Sequence, residues 1–236
     1  MHQEDVPRNN TVPITLTLME FSPITQFIVD QNVPAQTMAL LLLLPVVATL
    51  ASFFRQVVGI KAFGIYTPSI VTFALLAFDP NGLKYGIAVF VSVIFIGMIT
   101  RYALRRFRLL YLPRVAITIS VISFSMLGVL VLGGSFNRTG LAGVSIFPLL
   151  IMITITEKFV ALQLEKGTKA ALLLAAETLG ISLVGYALIS WPAFVMFILA
   201  YPWTVLLTIP LNVLLGKWTG LRLTEYVRFM NVLRQK

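Results

Sequence analysis

Two carboxylates and a short run of cations are the groups in this chain best placed to do chemistry. Glu157, followed by Lys158, and Glu177 fall in long apolar stretches, where an ionised group is costly and so marks a function or a structural partner. Glu157 has Lys158 and Arg114 as candidate ion-pair partners, whereas Glu177 lies deeper and has no adjacent counter-ion. The densest collection of unusual residues runs from Phe54-Arg55-Gln56 through Gly59-Ile60-Lys61 and Gly64 to Thr67-Pro68. Gly59 and Gly64 permit a non-helical path, Arg55 and Lys61 supply positive charge, and Thr67-Pro68 has the form of an N-cap followed by proline at the first helical position. The positive end of that helix would point back at the two cations, which are the ingredients of an anion site. The same residues also suit a tight loop whose cations simply mark the cytoplasmic side of a membrane. Arg55, Lys61, Thr67, Arg114, Glu157 and Glu177 are therefore the candidate anion or polar site.

Covalent and metal chemistry find little to work with. Cysteine is absent and His2 is the only histidine, which removes thiolate nucleophiles, disulfides and the usual soft metal ligands. No GxSxG, Walker A or HExxH pattern and no closely spaced acid pair occurs. The reading is of a protein that is not an enzyme and has no cofactor.

The elements that must position these groups are membrane helices. Of the residues, 58% are hydrophobic and 11% charged, with mean hydropathy +0.92, against roughly 25% charged in soluble domains. The basic residues sit in clusters beside uncharged stretches: five of the 18 Lys and Arg lie in 101–114, three in 158–169 and five in 217–236. Although the net charge is +9, this placement serves topology and anionic lipid headgroups, and nucleic acid is not an expected partner. A crossing helix needs about 20 apolar residues. Stretches 35–54, 82–100, 115–133, 141–161, 170–189 and 192–215 meet or approach that, the last with Pro202 and Pro210 as kinks after a turn at Ser190-Trp191-Pro192. The short stretch 65–78 decides the topology. If it crosses, the fold is an all-α bundle of seven spans with the N-terminus outside, leaving 15 basic residues in the cytoplasm and Arg8, Lys84 and Arg138 outside. If it is re-entrant, six spans result. Both place the C-terminus in the cytoplasm.

Three regions follow: a short extracytoplasmic tail at 1–34, a transmembrane domain at 35–215, and a basic amphipathic tail at 216–236. In the last, Leu223, Tyr226, Val227 and Met230 share one helical face while Arg222 and Glu225 lie opposite. Arg222, Glu225 and Arg228 are candidates for docking a cytoplasmic partner. The five arginines of 101–114 suit anionic headgroups.

Four motifs in order resemble one bacterial family, the seven-transmembrane domain usually found fused to an inactive, periplasmic transglutaminase-like domain. They are the Phe54–Gly64 segment, the Arg-Leu-Leu-x-x-Pro-Arg stretch at 108–114, Glu157-Lys158 with Glu165-Lys166-Gly167, and the Leu-Leu-Gly-Lys-x-Thr-Gly-x-Arg-Leu-x-Glu pattern ending at Glu225. The resemblance implies a multi-pass protein of the bacterial inner membrane with its N-terminus outside. It also implies periplasmic protein partners and envelope systems that contain cytoplasmic ATP-grasp ligases and proteases. The expected function is a non-enzymatic anchoring or coupling module. The alternative is a transporter or flippase of a small anionic or peptide-like product, with Arg55, Lys61, Glu157 and Glu177 along its path.

Overall fold

In a computed structural model, residues 31, 34–78, 82–107, 109–135 and 146–217 are described, and among them every regular element is helical. Helix α1 (Ala35–Phe53) ends in one π-helical turn, Phe54–Val58. After a loop come the short α2 (Tyr66–Leu76), then α3 (Gly82–Leu104) and α4 (Tyr111–Ser135). A 44-residue element, Ile146–Ile189, is interrupted at Gly167, where φ 83° and ψ 169° are not helical. Its halves are α5 (146–166) and α6 (168–189). The described part of the chain ends with α7 (Pro192–Ala200), a 3₁₀ stretch (Pro202–Leu207) and α8 (Thr208–Gly216).

The break at Gly167 turns one apparent helix into a hairpin. Thr67 at the start of α2 meets Lys158 of α5, and further along α2 the side of Phe73 faces Ile151 and Phe147. On its other flank Phe63 meets Thr178 and Thr72 meets Ser182 of α6. Helix α2 thus runs against the direction of α5 and along the direction of α6, so the two halves are antiparallel. Gln163 fastens the corner by donating from Nε2 to Thr168 Oγ1 at 3.1 Å. A Cβ at residue 167 would meet nothing within 4 Å, so Gly167→Ala tests backbone strain alone. It should destabilise the bundle by about 1–3 kcal/mol, the cost of a side chain in that region of φ and ψ, read as a lower midpoint of denaturation in mixed micelles. An unchanged midpoint would show that the corner does not need glycine.

Hairpin and α2 form the centre of the molecule. Val71, Leu75 and Phe159 are at most 0% exposed, and with Val93 and Ile122 they bind α2, α3, α4 and the hairpin into one core. Outward-facing Leu41, Phe95, Phe124 and Leu173 are more than half exposed, the pattern of a bundle whose rim meets lipid. Because lipid tails are as apolar as leucine, helices there associate through close packing and polar contacts. The α2–α6 seam has both. Thr72 Oγ1 lies 2.8 Å from Pro68 O and 3.2 Å from Ser182 O, and Ser182 Oγ lies 3.0 Å from Pro68 O.

Among the described residues, four helices are long and apolar enough to cross a bilayer, the hairpin among them. Taking the hairpin as two, and adding α2 and the final bent pair, the described residues hold seven apolar helical segments, and the fold is an all-α membrane bundle. Three details differ from the sequence-based expectation. The last stretch is bent more sharply than a kink: α7 and the segment beginning at Pro202 meet at 98°, because Pro202 ends one helix and opens a 3₁₀ turn. The fifth and sixth helices reach to Gly167 from both sides, since 162–166 are all good helix formers. Helix α2 starts at Tyr66 after Ile65, with no side-chain cap. Thr67 is inside its first turn and Pro68 follows there, where a missing N–H costs nothing.

Candidate functional site

The loop between α1 and α2 curls through three left-handed residues, Gly59 (φ 93°), Ala62 (φ 41°) and Gly64 (φ 97°). Successive N–H groups then point to one side, forming a concavity that favours a negative charge. The protein fills it with its own carboxylate. Glu177 Oε2 accepts from the N–H groups of Lys61 and Ala62, both at 3.0 Å, and Thr178 Oγ1 accepts from Phe63 N–H at 3.0 Å. Glu177, which has no neighbouring counter-ion in the sequence, finds backbone donors 115–116 residues away. Its role in this geometry is to latch the loop onto α6.

On the other side of the latched loop, Arg55, Lys61, Lys158 and Lys166 line a cavity of about 490 Å³ together with Phe63, Leu162 and Leu174. Among the described residues no carboxylate lines it, and none of the four cations has an acidic group within salt-bridge distance. Lys158 is held in place: Nζ donates to Thr67 Oγ1 at 2.7 Å, and Thr67 Oγ1 donates onward to Phe63 O at 3.0 Å. Like charges gathered without counter-ions leave a positive potential that an incoming anion would relieve.

Of the residues singled out in the sequence, the structure brings together Arg55, Lys61 and Thr67, with Glu177 behind the loop. Glu157 is exposed and outside the cavity lining, and no ion pair with Lys158 or Arg114 forms among the described residues. Adjacent residues on a helix point about 100° apart, so Lys158 can face Thr67 only if Glu157 faces away. Arg114 lies in a different basic group, close enough to Arg101 for mutual repulsion, and its guanidinium donates to Leu109 O at 2.9 Å. Lys166 was not among the sequence candidates, because 162–169 read as a loop. Arg222, Glu225 and Arg228 lie outside the described residues.

Among the described residues, all the basic groups but one belong to the same end of the bundle. Gly86 of α3 packs against Leu75 and Phe78 at one end of α2, and Gly97 against Thr156 near the other. Helix α3 therefore delivers Arg101 and Arg105 to the end that carries Lys158. Helix α8 returns beside α1, Asn212 Nδ2 donating to Thr49 Oγ1 at 2.7 Å, and brings Lys217 toward the turn that holds Arg55. Lys84 alone, among the described Lys and Arg, sits at the opposite end.

No curated protein and no solved structure gives a match to the chain. A family model does, over residues 2–233, and its description is seven transmembrane helices usually fused to an inactive transglutaminase. Seven apolar helical segments, the latched loop between the first and second, and a match across nearly the whole sequence agree: the chain belongs to the family of seven-transmembrane-helix domains usually fused to an inactive transglutaminase.

Proposed function

We propose that this chain is a non-enzymatic anchoring or coupling module of the bacterial inner membrane, with its basic end and C-terminus in the cytoplasm and its N-terminus outside. The observation that carries the reading is the one-sided distribution of cations among the described residues, of which Lys84 alone lies opposite. Positive residues are retained on the cytoplasmic side during insertion. A face with this much unpaired positive charge also suits acidic surfaces of cytoplasmic proteins. ATP-grasp ligases are the proposed cytoplasmic partners, with envelope proteins engaged on the periplasmic side.

The basic tail is the proposed docking element. Replacing Arg222→Glu together with Arg228→Glu should reduce recovery of the cytoplasmic partner in co-purification by about tenfold, as charge reversal at an interface rim does, while membrane insertion stays intact. Unchanged recovery would remove the tail from the docking surface. The transporter reading asks for Arg55, Lys61, Glu157 and Glu177 along one path. Glu177 is engaged by the loop backbone and Glu157 points elsewhere, so the anchoring reading fits the geometry better.

A further inference from the structure

We propose that the bundle holds one anionic, phosphate-bearing lipid, its headgroup in the cavity of Arg55, Lys61, Lys158 and Lys166 and its chain in a groove that descends along α5. The proposal rests on described residues alone and stands apart from the docking proposal.

The groove begins where the cavity ends. Lys158 borders both, and Thr67 and Phe63 stand on either side of the junction. From Lys158 the groove passes Ile155, Thr154 and Ile151 to Phe147, with Ile70 of α2 as its other wall. These positions follow i, i+3, i+4 spacing on one helix face, and from Phe147 to Lys158 the helix rises about 16 Å. That is about the depth of one leaflet of a 30 Å hydrocarbon core. Beyond Phe147 and Ile151 a second apolar pocket of about 430 Å³ continues between α1 and α2, so chains longer than one leaflet also find room. Thr154, Leu150 and Phe147 are exposed, which leaves the groove open sideways to the bilayer.

Each half specifies a different part of the ligand. Four cations with no carboxylate among the described lining residues select a multiply charged anion, and arginine with lysine is the usual phosphate-binding pair. The latch refines this: with the N–H groups of Lys61, Ala62 and Phe63 already bonded to Glu177 and Thr178, the anion must be met by side chains, which can adapt to a bulky headgroup. The apolar groove would give a free anion nothing. A phosphate carried on an acyl or isoprenoid-type chain satisfies both halves.

Native mass spectrometry of the full chain, released from detergent micelles with added dioleoyl phosphatidic acid, dioleoyl phosphatidylcholine or inorganic phosphate, tests the assignment. One phosphatidic acid should be retained in preference to phosphatidylcholine. Arg55→Gln with Lys166→Gln should weaken retention by about tenfold or more, since a hydrogen bond to a charged group is worth about 1.5–3 kcal/mol. Thr154→Trp, which fills the groove from an exposed position, should weaken phosphatidic acid as strongly and leave inorganic phosphate unaffected; Leu150→Trp is the second variant should the first fail to fold. Arg105→Gln with Arg106→Gln, at the same end but outside the cavity, should change retention by less than about twofold, as distant surface charges do. Equal losses in this control pair would mean diffuse attraction to a basic surface and overturn the proposal. So would indifference to the tryptophans combined with displacement by phosphate, which would indicate a free-anion site, or equal retention of phosphatidylcholine.

Discussion

Glu177→Ala should free the loop before it loosens the bundle. The carboxylate takes two charge-assisted hydrogen bonds, from Lys61 and Ala62, and nothing else holds those N–H groups. Bonds of this kind contribute about 1.5–3 kcal/mol each when buried. Here Lys61 is exposed and Glu177 only partly buried, so a combined loss of about 2 kcal/mol is the reasonable figure. The loop also holds Ala62 at φ 41°, a strained conformation that relaxes once its bond is gone. A 2 kcal/mol loss raises local opening about 30-fold. Trypsin should therefore cut after Lys61 about 30-fold faster, provided that cleavage follows the open population, while cleavage after Arg105 stays at the wild-type rate. Glu177→Gln keeps an oxygen acceptor but not its charge, and should fall between. Equal acceleration at both cleavage positions would mean that Glu177 supports the whole fold and does not act as a local latch.

The second large effect belongs to Gly185. A Cβ built there would lie 2.6 Å from Thr72 Oγ1, 3.1 Å from its Cγ2 and 3.4 Å from its Cβ. Thr72 has no exposure and is pinned by contacts to Pro68 O and Ser182 O, so it has nowhere to go. Gly185→Ala must push α2 and α6 apart, at a cost of about 1–3 kcal/mol for overpacking, and the polar seam weakens with it. Gly86 offers the contrast. Its added Cβ would meet Leu75 Cδ2 at 2.6 Å, the end of a flexible side chain, so Gly86→Ala should be milder. Denaturation midpoints should rank wild type above Gly86→Ala above Gly185→Ala. Adding Thr72→Ala to Gly185→Ala removes both close atoms, and the double variant should be more stable than the sum of the two single losses. Strict additivity would disprove the clash.

How far the sequence could be read depended on whether a feature was local. Membrane helices were legible because charge is excluded from the hydrocarbon, and the clusters at 101–114 and 158–169 bracket the spans whatever the details of packing. The hairpin corner was placed only within 162–169 and not at Gly167, because Glu165 and Lys166 look like loop residues beside an apolar span, although both are good helix formers. The available signal was Gly167, the one glycine between Gly143 and Gly180, which is the first residue able to make the turn. Lys166 was missed with it. Glu177's partners were out of reach on other grounds: its acceptor oxygen is matched to donors 115 and 116 residues earlier, and no local pattern encodes that. Thr67 was identified as significant for a capping role, yet it acts as a relay between Lys158 and Phe63 O. Proline fits several first-turn positions, so the one-residue shift in the start of α2 could not be read from Thr67-Pro68.

Helix α2 is 11 residues long, about 16 Å, and covers only about half of a 30 Å hydrocarbon core. Its groove partners Phe147 to Lys158 and its hydrogen-bond partner Ser182 are made some 80 to 115 residues later in synthesis. A segment this short cannot be committed to the bilayer by its own hydropathy when it leaves the ribosome. It must wait, in water or at the interface, until the hairpin exists to receive it. Assembly of this bundle therefore has an enforced order in which the second helix in sequence is among the last to be seated.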